Sequence, residues 1–231
     1  MLSLIWRRVS IASLLSRSLR SPAGVLQCAN NELVKLAAVD KGLVPSTGDF
    51  VNAKGSGLTG TKKATGEGVT VGRGQYLAVM AVNPGVVTLT GFAKDGSGKK
   101  VTCSVTIRGQ VTGLSLKELS TKDGLGQVEL KSGEYESKCK PGGKLTLTPI
   151  VDINGIPGNT ADKAEQKVYA GYKKYTDTSV SYRSSNAGVA TVDTKGKITI
   201  SKSAVDGSTV TIYATTADGN KTVQITITVV K

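Results

Sequence analysis

From Val25 onward the chain is written in short runs of alternating apolar and polar residues, each closed by a cluster of Gly, Asp, Asn, Lys or Ser. Alternation with period two puts every second side chain on one face of a pleated strand, so the pattern predicts half-buried β-strands joined by tight turns. In VVTLTGFAKDGSGKKVTCSVTI (86–107), Val87, Leu89 and Gly91 share one phase, KDGSGK breaks it, and Val101, Cys103, Val105 and Ile107 resume it. In STVTIYATTADGNKTVQITITVV (208–230), Val210, Ile212 and Ala214 face Val223, Ile225, Ile227 and Val229 across an Asp-Gly turn. Both segments predict antiparallel hairpins. VSYRSSNAGVATVDTKGKITI (180–200) reads as shorter strands that send Val180, Tyr182, Val189, Val192, Ile198 and Ile200 to an inter-sheet core. Its polar residues are turn chemistry: Ser184, Ser185 and Asn186 bond their own backbone, and Asp193 with Gly196 makes a hairpin corner.

The same order of elements occurs twice. CANNELVKLAAVDKGLV (28–44) aligns with RSSNAGVATVDTKGKI (183–198), setting Asn31 against Asn186, Val34 against Val189, and Val39-Asp40 against Val192-Asp193 after a two-residue insertion. Each copy leads to a closing hairpin, so two similar domains in series are expected, residues 25–110 and 111–231. A chain of 231 residues is long enough for two modest cores. The first domain carries a long Gly/Lys/Thr insertion over 45–83. Within it, GSGLTGTKKATGEG (55–68) reads as a flexible loop, because no strand-to-helix pattern flanks it for phosphate binding. The second domain has an insertion over 154–179. Residues 1–24 form an atypical basic N-terminal segment, with Arg7, Arg8, Arg17 and Arg20 and no acid. It superficially matches an organelle transit peptide and lacks a clear signal-cleavage site. No run in the chain is long enough to span a bilayer.

With 2 Phe, 1 Trp and 7 Tyr against 28 Gly, the core must be aliphatic and the turns many. No histidine is present, which removes the commonest general base, the commonest metal ligand and the ordinary nucleophile triads. Cys28, Cys103 and Cys139 lack the C-x-x-C spacing of a zinc site, and Asp152-Ile-Asn-Gly lacks the spaced acids of a calcium loop. Asp152 and Asp162 have no evident cleft to act across as a glycosidase pair. No catalytic, cofactor or metal residue is assigned, and the chain is expected not to be an enzyme. Cys28 and Cys103 are placed to meet inside the first domain, bridged or as buried thiols, with Cys139 left over; the odd count argues against a disulfide-dependent fold. The formal charge is +13, with four basic residues against no acid in 1–31, ten against five in 32–110 and sixteen against twelve in 111–231. So scattered an excess, mostly Lys in turns, suits a solvated surface with weak attraction to anionic cell-wall or membrane polymers rather than a nucleic-acid groove.

The pattern S-S-N-x-x-V-A-T-V-D-x-x-G-K-[IV], followed by T-[VA]-T-I-x-A-T-x-x-D-G-x-K and a last strand of alternating Val, Ile and Thr, resembles the bacterial immunoglobulin-like domain, group 2. The resemblance covers nearly all of 111–231, with VTGLSLKE (111–118) as the opening strand and PGGKLTLTPIV (141–151) as the second. In 25–110 it covers the middle and the closing hairpin. It implies an all-β fold of two tandem immunoglobulin-like β-sandwiches, the first atypical or incomplete. Members occur in invasin- and intimin-like adhesins, surface-layer and cell-wall proteins, and phage tail or capsid proteins, which implies an extracellular place on a bacterial cell surface or in a phage virion. Where the family carries Trp before S-S-N, this chain has Tyr182, and Gln27 in the first domain.

The function expected from the resemblance is that of a non-enzymatic structural or adhesive module, acting as a spacer or display domain. Its expected partners are other protein subunits, further copies of itself in a homo-oligomer, or host or cell-wall glycans, with no cofactor, no nucleic acid and no integral membrane span. The alternative is a carbohydrate-binding accessory module of a secreted protein. For either, the partner contact is expected in 154–179, where Tyr169, Tyr172 and Tyr175 lie beside Lys167, Lys173 and Lys174. Loops at the end of a sandwich carry function on a rigid scaffold, and Tyr offers contact area at low entropy cost. The competing assignment makes these tyrosines a lid over a thin core.

Overall fold

A computed structural model of the chain describes residues 24–28, 33–40, 62–63, 69–71, 75–93 and 96–231. The basic segment 1–23 and most of the glycine-rich stretch 55–68 lie outside the described residues. The chain divides into two compact units, Met1–Arg108 and Gly109–Lys231. Both are built of strands, as the alternation requires, and one short helix occurs among the described residues.

The first unit contains β1 (Gly24–Cys28), β2 (Val34–Asp40), β3 (Lys62–Lys63), β4 (Val69–Val71), β5 (Gln75–Ala81), β6 (Gly85–Ala93) and β7 (Lys100–Ile107). They form two sheets, in the orders β4-β1-β6-β7 and β3-β2-β5. The hairpin read from 86–107 is present with Val87 opposite Val105, Leu89 opposite Cys103 and Gly91 opposite Val101. Val34, Val87 and Leu89 are buried between the sheets. Residues 75–81, assigned above to the insertion 45–83, instead make β5, which pairs with β2 from Val34 opposite Ala81 to Asp40 opposite Gln75. The run QYLAVMA has no strict alternation to mark it, so local pattern alone did not separate it from the glycine-rich stretch before it. Cys28 and Cys103 are both in register with Leu89, from opposite sides. That puts them two strand spacings apart, about 9.5 Å, beyond the roughly 7 Å a disulfide spans, and Cys103 is a free, half-buried thiol.

The second unit contains β8 (Val111–Leu116), β9 (Glu129–Lys131), β10 (Glu134–Cys139), β11 (Lys144–Thr146), β12 (Pro149–Ile153), α1 (Lys163–Lys173), β13 (Val180–Ser184), β14 (Ala190–Val192), β15 (Lys197–Ile200), β16 (Thr209–Thr216) and β17 (Thr222–Val229). One sheet runs β13-β16-β17-β10-β9; the other is made by β11-β15-β14 and β12-β8. Only Leu147 and Thr148 separate β11 from β12, and both are tied in: Leu147 N–H donates to Gly196 O at 3.0 Å and Lys117 N–H to Thr148 O at 2.9 Å. In immunoglobulin lettering these layers are A-B-E-D against C-F-G, the constant-type arrangement, with β10 added in parallel along the last strand. The first unit repeats part of this order: its β1·β6, β2·β5 and β6·β7 pairings match β13·β16, β14·β15 and β16·β17.

The core of the second unit is aliphatic, as composition requires. Ile198, Ile212, Ile225, Ile227 and Val229 are fully enclosed, each burial contributing roughly 1.5–3 kcal/mol. Tyr182 packs half-buried against this cluster. Its ring lies over Gly196, where φ is +77° and an added Cβ would meet the Tyr182 hydroxyl at 2.9 Å. In the first unit Gln27 is in register with Thr90 of β6, and its side chain lies outside the described residues; in the second, Tyr182 is opposite the buried Ala214. A second aromatic anchor escaped the sequence reading. Tyr135 of β10 is buried, and its hydroxyl accepts from Leu116 N–H of β8 at 3.1 Å, joining the two layers through the core.

The turn residues of 180–200 are taken up by backbone bonds, locally as expected for Ser184, Asn186 and Asp193, but across to β16 for Ser185. Ser184 Oγ donates to Ala190 O, Asn186 Oδ1 accepts from Gly188 N–H, and Ser185 Oγ accepts from Thr211 N–H. Asp193 Oδ1 accepts from the N–H groups of Lys195 and Lys197, each at 2.9 Å. The Lys197 bond is the main reason its carboxyl sits below the usual range.

Two predictions follow from this packing. Tyr135→Phe keeps the ring but leaves Leu116 N–H without its acceptor, so urea unfolding should show a loss of about 1–3 kcal/mol. Asp193→Ala should destabilise the second unit most above the carboxyl's unfolded value near pH ~3.9. Because the folded value is lowered, the gap between wild type and variant should shrink as pH falls through it; a gap constant from pH 7 to pH 2 in thermal melts would contradict this role.

Candidate functional site

The segment between β12 and β13 is the loop joining the two sheets at one end of the sandwich. It begins with a tight two-residue turn. Asn154 (φ 49°) and Gly155 (φ 82°) carry positive φ, and Ile153 and Ile156 exchange backbone bonds across them. Asn154 Oδ1 accepts from Gln110 N–H at 2.8 Å, and Gly155 N–H donates to Thr112 Oγ1 at 3.0 Å, which fastens the turn to the start of the unit. Gly158 then passes so close to β12 that a Cβ would lie 2.5 Å from Val151 O. Its N–H donates to Asp152 Oδ1.

Residues 163–173, expected as loop, form α1. Asp162 is the N-cap and accepts from Ala164 and Glu165 N–H, while Glu165 takes the Thr160 hydroxyl at 2.5 Å. The sequence signal was an acidic cap followed three residues later by Glu, before a run of Lys, Ala, Glu and Gln, all good helix formers. A β-rich reading of the surroundings obscured it. The helix is pinned by Tyr169, whose hydroxyl donates to Val151 O of β12 at 2.7 Å. Burial raises the Tyr169 phenol, with a further push from Asp152, and burial also raises Tyr172. After the helix, Tyr175 O accepts from Gly109 N–H at 3.1 Å, so both ends of the segment return to the strand scaffold.

At 100° per residue, Tyr169 and Tyr172 fall on the side of α1 turned to the sheet, and both are half-buried. Tyr175 is half-buried beyond the helix end. Of the tyrosines named from sequence, Tyr169 thus seats the helix on β12. Lys173 and Lys174 are exposed. The opposite side of the helix carries Lys163, Lys167, Ala170 and Lys174 within a stripe about 60° wide, and all four are exposed. The stripe runs roughly 16 Å along the axis. Lys163 was not singled out from sequence; its place in the stripe appears only once the helix and its facing are known.

Elsewhere the outer face of the β13-β16-β17 sheet is polar, with the Arg183 guanidinium 4.4 Å above the Tyr213 ring. Among the described residues no cluster of three or more His, Cys, Asp or Glu is arranged to hold a metal ion. No helix among them is long and apolar enough to cross a membrane.

No family model matches the chain, and no curated protein matches it. Solved structures do. Domains 4 and 5 of the S-layer protein SbsC align at 17% identity over 66% of this chain and 69% of theirs, with a TM-score of 0.32. Extracellular cadherin domains 1–4 of protocadherin gamma B7 align at 13% identity over 89% of this chain and 41% of that one, TM-score 0.32. Mouse clustered PcdhgC3 EC1-3 aligns at 11% identity over 90% of this chain and 56% of that one, TM-score 0.37. The chain thus spans less than two thirds of either protocadherin fragment. The fold rests on the strand order itself, not on these likenesses.

Removing the helix cap tests how α1 is held. Asp162→Ala should cost the helix about 1 kcal/mol. Hydrogen exchange should show it as faster exchange at Ala164 and Glu165, with little change in the global unfolding midpoint.

Proposed function

We propose that the chain is a non-enzymatic structural and adhesive module of a bacterial cell surface or a phage virion, a spacer that presents α1 to an anionic cell-wall glycan. The observation that carries this reading is the facing of the helix. Its tyrosine side is fastened to β12, and its outward side presents Lys163, Lys167 and Lys174 in one row with Ala170 between them. By contrast, Ser184, Asn186 and Asp193 in 180–200 are engaged in turns. A row of flexible cations on a rigid support suits a linear polyanion, which needs matched charge spacing rather than a cavity. The scattered positive charge of the rest of the chain supports the same attraction at longer range.

Co-sedimentation with purified cell-wall sacculi bearing phosphate-rich polymers tests the proposal. Reversing the row with Lys163→Glu, Lys167→Glu and Lys174→Glu should weaken binding at least about tenfold at roughly 50 mM salt, with the difference fading near 0.5 M as screening takes over. A control with the same charge change, Lys117→Glu, Lys122→Glu and Lys140→Glu, should bind nearly as wild type. Equal losses in both variants, or no binding to sacculi by the wild type, would overturn the assignment of α1.

A further inference from the structure

Asn154 and Gly155 form the one Asn-Gly pair in the sequence, and they occupy the central positions of the turn that follows β12. With φ at 49° and 82°, the pair matches a type I′ turn, which asks for left-handed backbone at both positions. Three bonds hold this turn to the first residues of the second unit. Asn154 N–H donates to Gln110 O at 2.9 Å, Asn154 Oδ1 accepts from Gln110 N–H at 2.8 Å, and Gly155 N–H donates to Thr112 Oγ1 at 3.0 Å. Ile153 and Ile156 close it with backbone bonds of 3.0 and 2.9 Å. Asn154 is half-buried, and Gly155 is exposed to water.

An asparagine followed by glycine carries an electrophile and a nucleophile one ring closure apart, and glycine has no side chain to crowd its own nitrogen. In that closure Gly155 N forms a bond to Asn154 Cγ, the Cγ–Nδ2 bond breaks, and the amide leaves as ammonia, taking up the proton that Gly155 N–H gives up. Water then opens the cyclic imide at one of its two carbonyls. Opening at Cγ gives ordinary aspartate. Opening at the main-chain carbonyl gives isoaspartate, with the main chain running through the β-carbon. Either product puts a carboxylate where a neutral amide stood.

The folded turn opposes the first step. Ring closure needs Gly155 N eclipsed with the Asn154 Cβ, whereas the first central residue of a type I′ turn, with ψ near about +30°, carries that nitrogen to the far side of the backbone. The bond from Gln110 also fixes the side-chain amide, and Thr112 holds the attacking N–H. We infer that Asn154 is a site of spontaneous deamidation latched by its own turn: opening of the turn sets the rate, and conversion to isoaspartate releases the stretch between β12 and α1 from the start of β8 for good. The isoaspartyl main chain is one atom longer, so the two-residue turn no longer closes between Ile153 and Ile156 and the paired bonds to Gln110 are lost. Aspartate at 154 has the ordinary main chain and keeps an oxygen to accept from Gln110 N–H, so only the isoaspartyl product acts as the release.

The test incubates the full chain, and separately a synthetic peptide of residues 150–160, in mildly alkaline buffer. Mass spectrometry follows loss of the Asn154 amide, and labelling with an isoaspartyl methyltransferase follows isoaspartate. Deamidation in the chain should be at least about tenfold slower than in the peptide, since it must wait for local opening. Thr112→Val removes the acceptor that holds Gly155 N–H and should speed the reaction in the chain about fivefold, while Thr112→Ser, which keeps a hydroxyl, should restore the slow rate. In the isolated isoaspartyl form the amides of Gln110, Ile153 and Ile156 should exchange at least about tenfold faster than in the unmodified chain; in Asn154→Asp they should stay protected. The inference is overturned if chain and peptide react at the same rate, if Thr112→Val reacts no faster than Thr112→Ser, if the isoaspartyl form keeps these amides protected, or if Asn154→Asp loses them equally.

Discussion

The second unit depends on the register between β16 and β17. Val210 lies opposite Ile227, Ile212 opposite Ile225 and Ala214 opposite Val223, so one face of the ribbon is aliphatic up to the buried Thr216 and the other carries Thr, Tyr and Gln. A slip of one residue would turn every one of these side chains to the wrong side, which makes the register the costliest feature of the unit to disturb. β13 is hydrogen-bonded to the outer edge of β16, and β10 to the outer edge of β17. The opposite layer packs Leu145, Ile198 and Ile200 onto the face that the register creates. Tyr135 then crosses between layers to bond the Leu116 backbone, tying the first strand of one sheet to the last strand's neighbour in the other.

This economy explains why a chain rich in Ser, Thr and Gly offers so few candidate sites among the described residues. Short strands need many turns, and each turn leaves backbone N–H groups that water or a side chain must satisfy. Asn186 and Asp193 meet that need inside the loops that hold them. The helix after β12 is different in kind. Its cap, its glycine crossing and its tyrosine bond satisfy the segment internally, and the lysines on its far side take no part in holding it. Charge that the fold does not require is where recognition is most economically placed.

Sequence by itself determined whatever depends on neighbours along the chain. The alternation in 86–107 and 208–230 fixes strands and faces, the Asp-Gly turn closes the last hairpin, and Asp193 with Gly196 shapes the corner before β15. These are local rules of period two and of turn conformation, and they hold whatever surrounds them. Even α1 was written locally, in Asp162 and Glu165, though a β-rich context hid it.

Only the tertiary structure decided matters of distant pairing. β10 joins β17 across about ninety residues of sequence in parallel, a bond pattern that leaves no short-range signature. β5 became a strand because β2 offers it a full partner. The facing of α1 follows from a single hydroxyl reaching Val151 O. In each case the deciding group lies far away in the chain, and only closing the sandwich brings it within reach.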